Sequence, residues 1–278
     1  MKLSIITINL NDKQGLQKTI ESVIAQTFTD YEFIIIDGNS SDGSVDVIKE
    51  NAHKIDFWLS EPDSGIYNAM NKGIMQAKGE YCHFLNSGDI YPSNVVLENA
   101  FEEDVHDSFI CGNFFTDNKG KLVKNESYRN RDWTFSLYDI FSGHLCHQAF
   151  FIKKEMFDKY GYYDESLRIV SDFKLFFIAI GIHCEAVKYV DADIVIYNTE
   201  GLSSNIGGKA ILKEKQIVAQ QELSEQVYNK INYLYFLERN EYITRFTLSK
   251  KWIYFLFKVF NKICVSLKLT SVKSDYFS

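Results

Sequence analysis

The stretch Tyr31-Glu32-Phe33-Ile34-Ile35-Ile36-Asp37-Gly38-Asn39-Ser40-Ser41-Asp42-Gly43 decides the fold. Phe33 to Ile36 leaves no polar face, which predicts a strand buried on both sides, as in the centre of a parallel sheet covered by helices. The chain then turns at Asp37 into small polar residues, whose Ser and Asp members can cap a helix over residues 45–50. Upstream, Leu3 to Ile8 is a second apolar, β-branched run bounded by Asn9, Asn11 and Asp12. Between the two runs Leu16, Ile20, Val23 and Ile24 recur at helical spacing, so the whole reads as a βαβ unit. Parallel strands joined this way place ligands at their carboxyl ends, where Asp37 stands.

The pattern continues outward. Residues 55–59 predict a third strand. Ile66, Met70 and Ile74 sit at four-residue steps in a helix that Lys78-Gly79 closes. The strand over 81–85 runs into Asn86-Ser87-Gly88-Asp89, a second carboxylate at a strand end. Beyond Asn94 the signals weaken to a helix at 95–101, a strand at 108–115 and a hairpin near 118–121. A polar cluster, Gly143 to Gln148, precedes an apolar run at 149–152 and a short helix at 154–160. Ser171-Asp172 opens an apolar helix to Ile180, with the acid in the first turn where it complements the helix dipole. A strand over 187–196 and one polar helix over 209–226 complete this part.

With 278 residues, 46% of them hydrophobic, and only 2 prolines, the chain has enough apolar surface for a large core and too little proline for disorder. Its charge of -7 is uneven: residues 226–278 carry 9 Lys/Arg against 3 Asp/Glu, so the preceding part is strongly acidic. No concentrated basic face exists there, which excludes nucleic acid as its partner. The 5 cysteines are scattered without a C-x-x-C pair, which suits reduced thiols in the cytoplasm. The apolar start, Leu3 to Leu10, is too short for a signal-peptide core and lacks a cleavage site, so a cytoplasmic location is expected. These divisions predict a domain at 1–225, halved at 92/93, and a basic aromatic tail at 226–278. Within the tail, Trp252, Phe255, Phe260 and Ile263 share one helical face and Lys251, Lys258 and Lys262 the other. Residues 250–269 are thus expected to lie on an anionic membrane surface, the alternative being a helix packed on the domain or a contact in a homo-oligomer.

Several separated motifs resemble family 2 inverting glycosyltransferases: Ser4 to Asn9, Thr19 to Gln26, Ile36 to Gly43, Glu61-Pro-Asp-Ser-Gly-Ile-Tyr-Asn-Ala-Met-Asn-Lys-Gly73, Gly79, and Asn86 to Asp89. The match is tight over residues 3–89, looser from 143 to 205, and absent after about 226. The resemblance implies an α/β protein of the glycosyltransferase-A fold, a single Rossmann-like nucleotide-binding domain with a mostly parallel sheet, here followed by C-terminal amphipathic helices. It also implies surface-polysaccharide synthesis with a nucleotide-sugar donor, UDP-linked by prior, and a glycan or lipid-linked acceptor at the inner membrane face.

By the same similarity, Thr7 and Asn9 line the base pocket, Asp37 accepts a hydrogen bond from the base, and Asp63 and Lys72 face the nucleotide. Asp89 matches the last acid of the family's metal-binding D-x-D motif, for Mn2+ or Mg2+. Asn86 stands where its first acid is usual, and offers the donor sugar an amide rather than the ion a charge; Asn68 replaces another acid. His147 and Gln148 match a polar pair near the donor diphosphate. Inverting transfer needs a base to take the acceptor's proton. Asp172, preceded by Ser171 instead of the usual acid, is the candidate, with Asp164 as its structural rival. Asp89 is further expected near the surface, contributing little to the fold. Two other functions compete: a sugar nucleotidyltransferase, for which Ile8 to Gly15 is too poor in glycine and basic residues, and a catalytically inactive glycan-binding module, favoured by Asn68 and Asn86.

Overall fold

In the computed structural model of the chain, the structure describes residues 1–103, 105–118, 120–129, 135–143, 145–199 and 207–240. The chain falls into two compact units, Met1–Glu222 and Leu223–Ser278. The first opens with β1 (Leu3–Asn9), α1 (Lys13–Ile24), β2 (Tyr31–Asp37), α2 (Ser44–Glu50), β3 (Phe57–Ser60), α3 (Ile66–Gln76) and β4 (Tyr81–Phe84). It continues with α4 (Val96–Ala100), β5 (Phe109–Asn118), β6 (Lys121–Asn125), α5 (Leu137–Ser142), β7 (Phe150–Lys153), α6 (Glu155–Tyr160), α7 (Ser171–Phe176), β8 (Val187–Asn198) and α8 (Gly208–Glu222). The described part of the second unit is α9 (Glu225–Arg239), where Ile231 is buried. The amphipathic segment 250–269 lies outside the described residues. No helix among the described residues is long and apolar enough to cross a membrane.

The strands form one eight-stranded sheet in the order β3-β2-β1-β4-β7-β5-β6, with β8 paired to β5. β1, β2, β3 and β4 are mutually parallel, as are β5 and β8, whereas β7 pairs antiparallel with β4 and β5, and β6 with β5. The apolar run that decides the fold is buried as expected, Phe33 to Ile36 being at most 1% exposed between β1 and β3, although β2 lies one strand in from the edge of the sheet rather than at its centre. Asp12 starts α1 by accepting the Gly15 N–H at 2.9 Å, which satisfies one of the free donors of the first turn.

Two helices differ from the sequence expectation. The polar helix over 209–226 is broken, because Ser224 is extended (ψ 150) and starts α9 after α8 has ended at Glu222. The helix from Ser171 remains α only to Phe176 and widens into a π-helix over Phe177–Ile182, its last donor, His183 N–H, bonding five residues back to Ile178.

His83 of β4 is fully buried, its Nδ1 2.8 Å from the Tyr91 hydroxyl and its Nε2 2.8 Å from the Gln148 carbonyl. Burial pushes its pKa down to about 4. The unfolded chain therefore takes up this proton first, and the His83 contribution to stability falls as pH drops from the free imidazole value toward about 4, by roughly 3 kcal/mol at 1.36 kcal/mol per unit. Asp89, which burial pushes up to about 7, acts with the opposite sign in the same window, so the loss should appear as the difference between wild type and His83→Gln in denaturant unfolding at its two ends.

Candidate active site

The strand ends carry a continuous polar row. Register places Asn9 beside Asp37 and Asp37 beside Ser60. Ser60 Oγ donates to Asp37 Oδ2 (2.6 Å), Asn9 Nδ2 to Asp37 Oδ1 (2.7 Å), and Ser87 Oγ to Asn9 Oδ1 (2.7 Å). Ser40 closes the row on Asp37 with its hydroxyl (2.6 Å) and its N–H (2.9 Å). Burial works to raise the Asp37 pKa, but these donors together hold the carboxyl below its usual range.

Above the row opens a cleft of about 810 Å³, whose walls include Asn9, Asp63, Asn86, Asp89, His147 and Asp172. Thr7, Asp37 and Lys72 are not on its walls. Thr7 is fully buried and donates to the Leu85 carbonyl (2.7 Å), and Asp37 is fully buried beneath Asn9. Lys72 pairs with Glu61 at 2.8 Å and donates to the Pro62 carbonyl (3.3 Å), so it fixes the loop that bears Asp63. Asp63 Oδ1 accepts the Gly65 N–H at 3.0 Å and packs against Gly38, where any Cβ would stand 2.6 Å from its Oδ2.

Asp89 is only 2% exposed, which corrects the expectation of a surface carboxylate. The chain folds back over it: Asn198 N–H donates to Oδ1 (2.9 Å) and Gln148 Nε2 to Oδ2 (3.3 Å). Thr19 holds the same turn, its Oγ1 donating to the Asp89 carbonyl (2.8 Å) and accepting the Gly88 N–H (3.0 Å). Gly88 is required there by its φ of 91. Burial pushes the Asp89 carboxyl up to about 7 against these hydrogen bonds. Nearby, Asn86 Oδ1 is buried with no partner, an acceptor that a sugar hydroxyl or a hydrated cation would satisfy. An amide oxygen and a carboxylate on one wall are hard oxygen donors suited to Mg2+ or Mn2+, but among the described residues no three His, Cys, Asp or Glu gather into a full set. Diphosphate oxygens and water would have to complete the coordination.

Across the cleft, Asp172 is held at both oxygens. Tyr67 Oη donates to Oδ1 at 2.9 Å, and His147 Nδ1 lies 3.0 Å from Oδ2. Burial acts to raise its pKa, yet His147, Tyr67 and the Phe173 N–H outweigh it, so the carboxyl stays ionised below its usual range. The other nitrogen of His147, Nε2, is buried and unpartnered. Asp164 is turned elsewhere, paired with Lys174 at 2.8 Å and off the cleft walls. Asn68 is absorbed structurally: it donates to Glu165 at 3.0 Å, as does Asn71 at 2.9 Å, and so ties α3 to the segment before Asp172.

Sequence reasoning missed Tyr67 as a partner of Asp172, although it lies within the Glu61–Gly73 motif; spacing gives no sign of a contact across 105 positions. It also missed Lys215, which lines the cleft from α8, and for which a polar helix offers no signal at all.

Comparison with known proteins bears on what such a cleft does. The family description "Glycosyl transferase family 2" matches residues 4–161. A relative named as an uncharacterized glycosyltransferase of Mycobacterium tuberculosis is 32% identical over 206 residues, 73% of this chain and 77% of its own. A PGL/p-HBAD biosynthesis glycosyltransferase of Mycobacterium bovis is 27% identical, over 76% and 82% of the two chains. Among solved structures, S. aureus TarS 1-349 in complex with UDP-GlcNAc superposes with a TM-score of 0.67 at 16% identity, over 87% of this chain and 73% of that one. The chain belongs to glycosyl transferase family 2, and is a glycosyltransferase with the glycosyltransferase-A fold.

Proposed function

We propose that the protein is an inverting glycosyltransferase that moves a sugar from a nucleotide-sugar, UDP-linked, to a hydroxyl of a glycan or lipid-linked glycan in surface polysaccharide synthesis. The observation that carries the reading is Asp172, ionised and held by Tyr67 and His147 across one cleft from Asn9, Asp63, Asn86 and Asp89. UDP-GlcNAc bound by TarS and the biosynthetic role in the M. bovis relative's name agree with it.

In this reading Asn9 and Asp63 meet the nucleoside, with Thr7, Asp37 and Lys72 acting from behind through Leu85, Asn9 and the Glu61–Pro62 loop. Asp89 and Asn86 would hold a divalent cation, which when bound offsets the charge of the departing diphosphate. Asp172 takes the proton of the acceptor hydroxyl. The freed oxygen pair bonds to the anomeric carbon, and the bond to the diphosphate breaks with its electrons leaving on phosphate oxygen, from the opposite face of the sugar. Position supplies much of the rate, since reacting atoms held near 3–3.5 Å gain several kcal/mol over free encounter. We further propose cytoplasmic work at the membrane surface through residues 250–269, which vesicle co-sedimentation of full-length and 1–248 chains would test: equal partitioning refutes it.

The test is a panel of nucleotide-sugars and free nucleotides, scored for protection against thermal unfolding with and without Mn2+. Ligand at about 100 times its Kd stabilises by about 2.7 kcal/mol, so one nucleotide should raise the midpoint selectively. A flat response to all of them overturns the proposal. Release of nucleoside diphosphate on adding an acceptor excludes an inactive module, and release of pyrophosphate from sugar phosphate and nucleoside triphosphate would make the protein a nucleotidyltransferase.

A further inference from the structure

Lys215 is a lysine of α8 only 6% exposed. Its Nζ donates to the carbonyls of Phe141 (3.3 Å) and Gly143 (2.6 Å) at the C-terminal end of α5. The same nitrogen lies 4.6 Å from the centre of the Phe173 ring. A helix C-terminus and an aromatic face both carry partial negative charge, so these two neighbours favour the ammonium against the burial that disfavours it. Phe173 is the residue after Asp172, whose own charge also reaches Lys215. The neighbouring Glu214 accepts the N–H groups of Arg168 (3.2 Å) and Ile169 (2.9 Å), in the loop that enters α7. Two consecutive residues of α8 therefore grip α7 from both sides of Asp172.

We propose that Lys215 is a positioning residue for the base: its ammonium ties α8, the end of α5 and Phe173 into the frame that aims Asp172, and the frame loosens when that ammonium loses its proton. This rests on Asp172 being the base.

Burial pulls the Lys215 pKa down to about 8, with Asp172 pulling the other way. Below that pH the group is charged and the frame is closed. Above it, the amine still donates to the two carbonyls but loses its attraction to the ring and to Asp172. The groups facing it are Asp172 and the Phe173 ring from α7 and the carbonyls that follow α5. Glu214, on its own helix, is engaged with the backbone before α7, and His147 approaches only through Asp172. The Tyr67 and Tyr163 hydroxyls and the Cys146 thiol are all driven upward by burial, so none of them titrates with Lys215.

The experiment follows nucleoside-diphosphate release from the nucleotide-sugar selected by the binding panel, between about pH 6 and pH 10, in the full chain, Lys215→Arg, Lys215→Met, Phe173→Leu and Asp172→Asn. The wild type should lose rate through an alkaline limb near pH 8. Lys215→Arg keeps the charge and should move that limb up by more than about one pH unit. Phe173→Leu should move it down, because the ring no longer favours the ammonium. Lys215→Met should lack the limb and run about 10–100-fold slower at neutral pH, with nucleotide Kd within about twofold of wild type. A wild-type rate flat to about pH 9.5, a limb unmoved in Lys215→Arg, or a loss of nucleotide affinity in Lys215→Met that matches the loss of rate each overturns the proposal. Wild-type turnover in Asp172→Asn is a different failure, that of the base assignment. A slow Asp172→Asn beside normal Lys215 variants removes Lys215 alone.

Discussion

Asp172→Asn should lower kcat by about two to four orders of magnitude, the usual contribution of a positioned general base, while nucleotide-sugar affinity stays within a few-fold. The substitution is nearly isosteric and keeps an acceptor oxygen for either Tyr67 or His147, so the fold has little reason to change. What disappears is the lone pair able to take a proton. Single-turnover measurements at saturating donor isolate that step from binding. Should Asp164→Asn prove the slower enzyme, the ion pair of Asp164 with Lys174 would have to break during turnover and the assignment would be wrong.

The second large effect is expected at Asp89. Alanine there removes the acceptor of the buried Gln148 amide and of the half-buried Asn198 N–H, and a buried group left unpaired costs about 1–3 kcal/mol. A loss of that size depresses the unfolding midpoint by roughly several degrees for a chain of this size, so Asp89→Ala reports stability and activity together. Asp89→Asn separates them. The amide still accepts from Asn198 and preserves the turn that Thr19 holds, but it has no charge for a cation. Turnover stimulated by Mn2+ should vanish in Asp89→Asn with the unfolding midpoint within a few degrees of wild type. Metal stimulation retained at the wild-type level would remove Asp89 from the cation's shell.

Much of this was legible in the residues because the N-terminal part of the sheet is built from near neighbours in sequence. The apolar run of β2, the helical spacing of α1 and the acids at Asp37 and Asp89 all declare themselves within a few dozen positions, where periodicity speaks directly about burial. What the spacing could not supply was depth. Thr7, Asp37 and Asp89 have the same polar signature whether they face a ligand or lie beneath the residue that does, and only the pairing of β1 with β2 and the return of β8 over the Asp89 turn decide between them. The antiparallel β7 and β6 and the capped helix α5 come from a region where alternation is weak and the elements are short, so their partners rather than their own pattern select the conformation. Lys215 is the extreme case: an amphipathic pattern treats a lysine as a solvent-facing residue, and nothing local says that a helix end and an aromatic ring wait for it.

The contact of Tyr67 with Asp172 spans 105 positions, and those of Asn71 and Asn68 with Glu165 span 94 and 97. The β1–β2 and β2–β3 pairs close loops several times shorter, such as Leu3 on β1 with Tyr31 on β2 and Ile34 on β2 with Phe57 on β3. Short loops close at lower entropic cost and therefore sooner. During synthesis from the N-terminus, the parallel strands β1, β2 and β3 can pair while the segment bearing Asp172 is still being made. The protein should thus pass through a stage that holds structure before Asp172 is in place, and pulse-labelling hydrogen exchange during refolding would find β1, β2 and β3 protected before the N–H groups of α7.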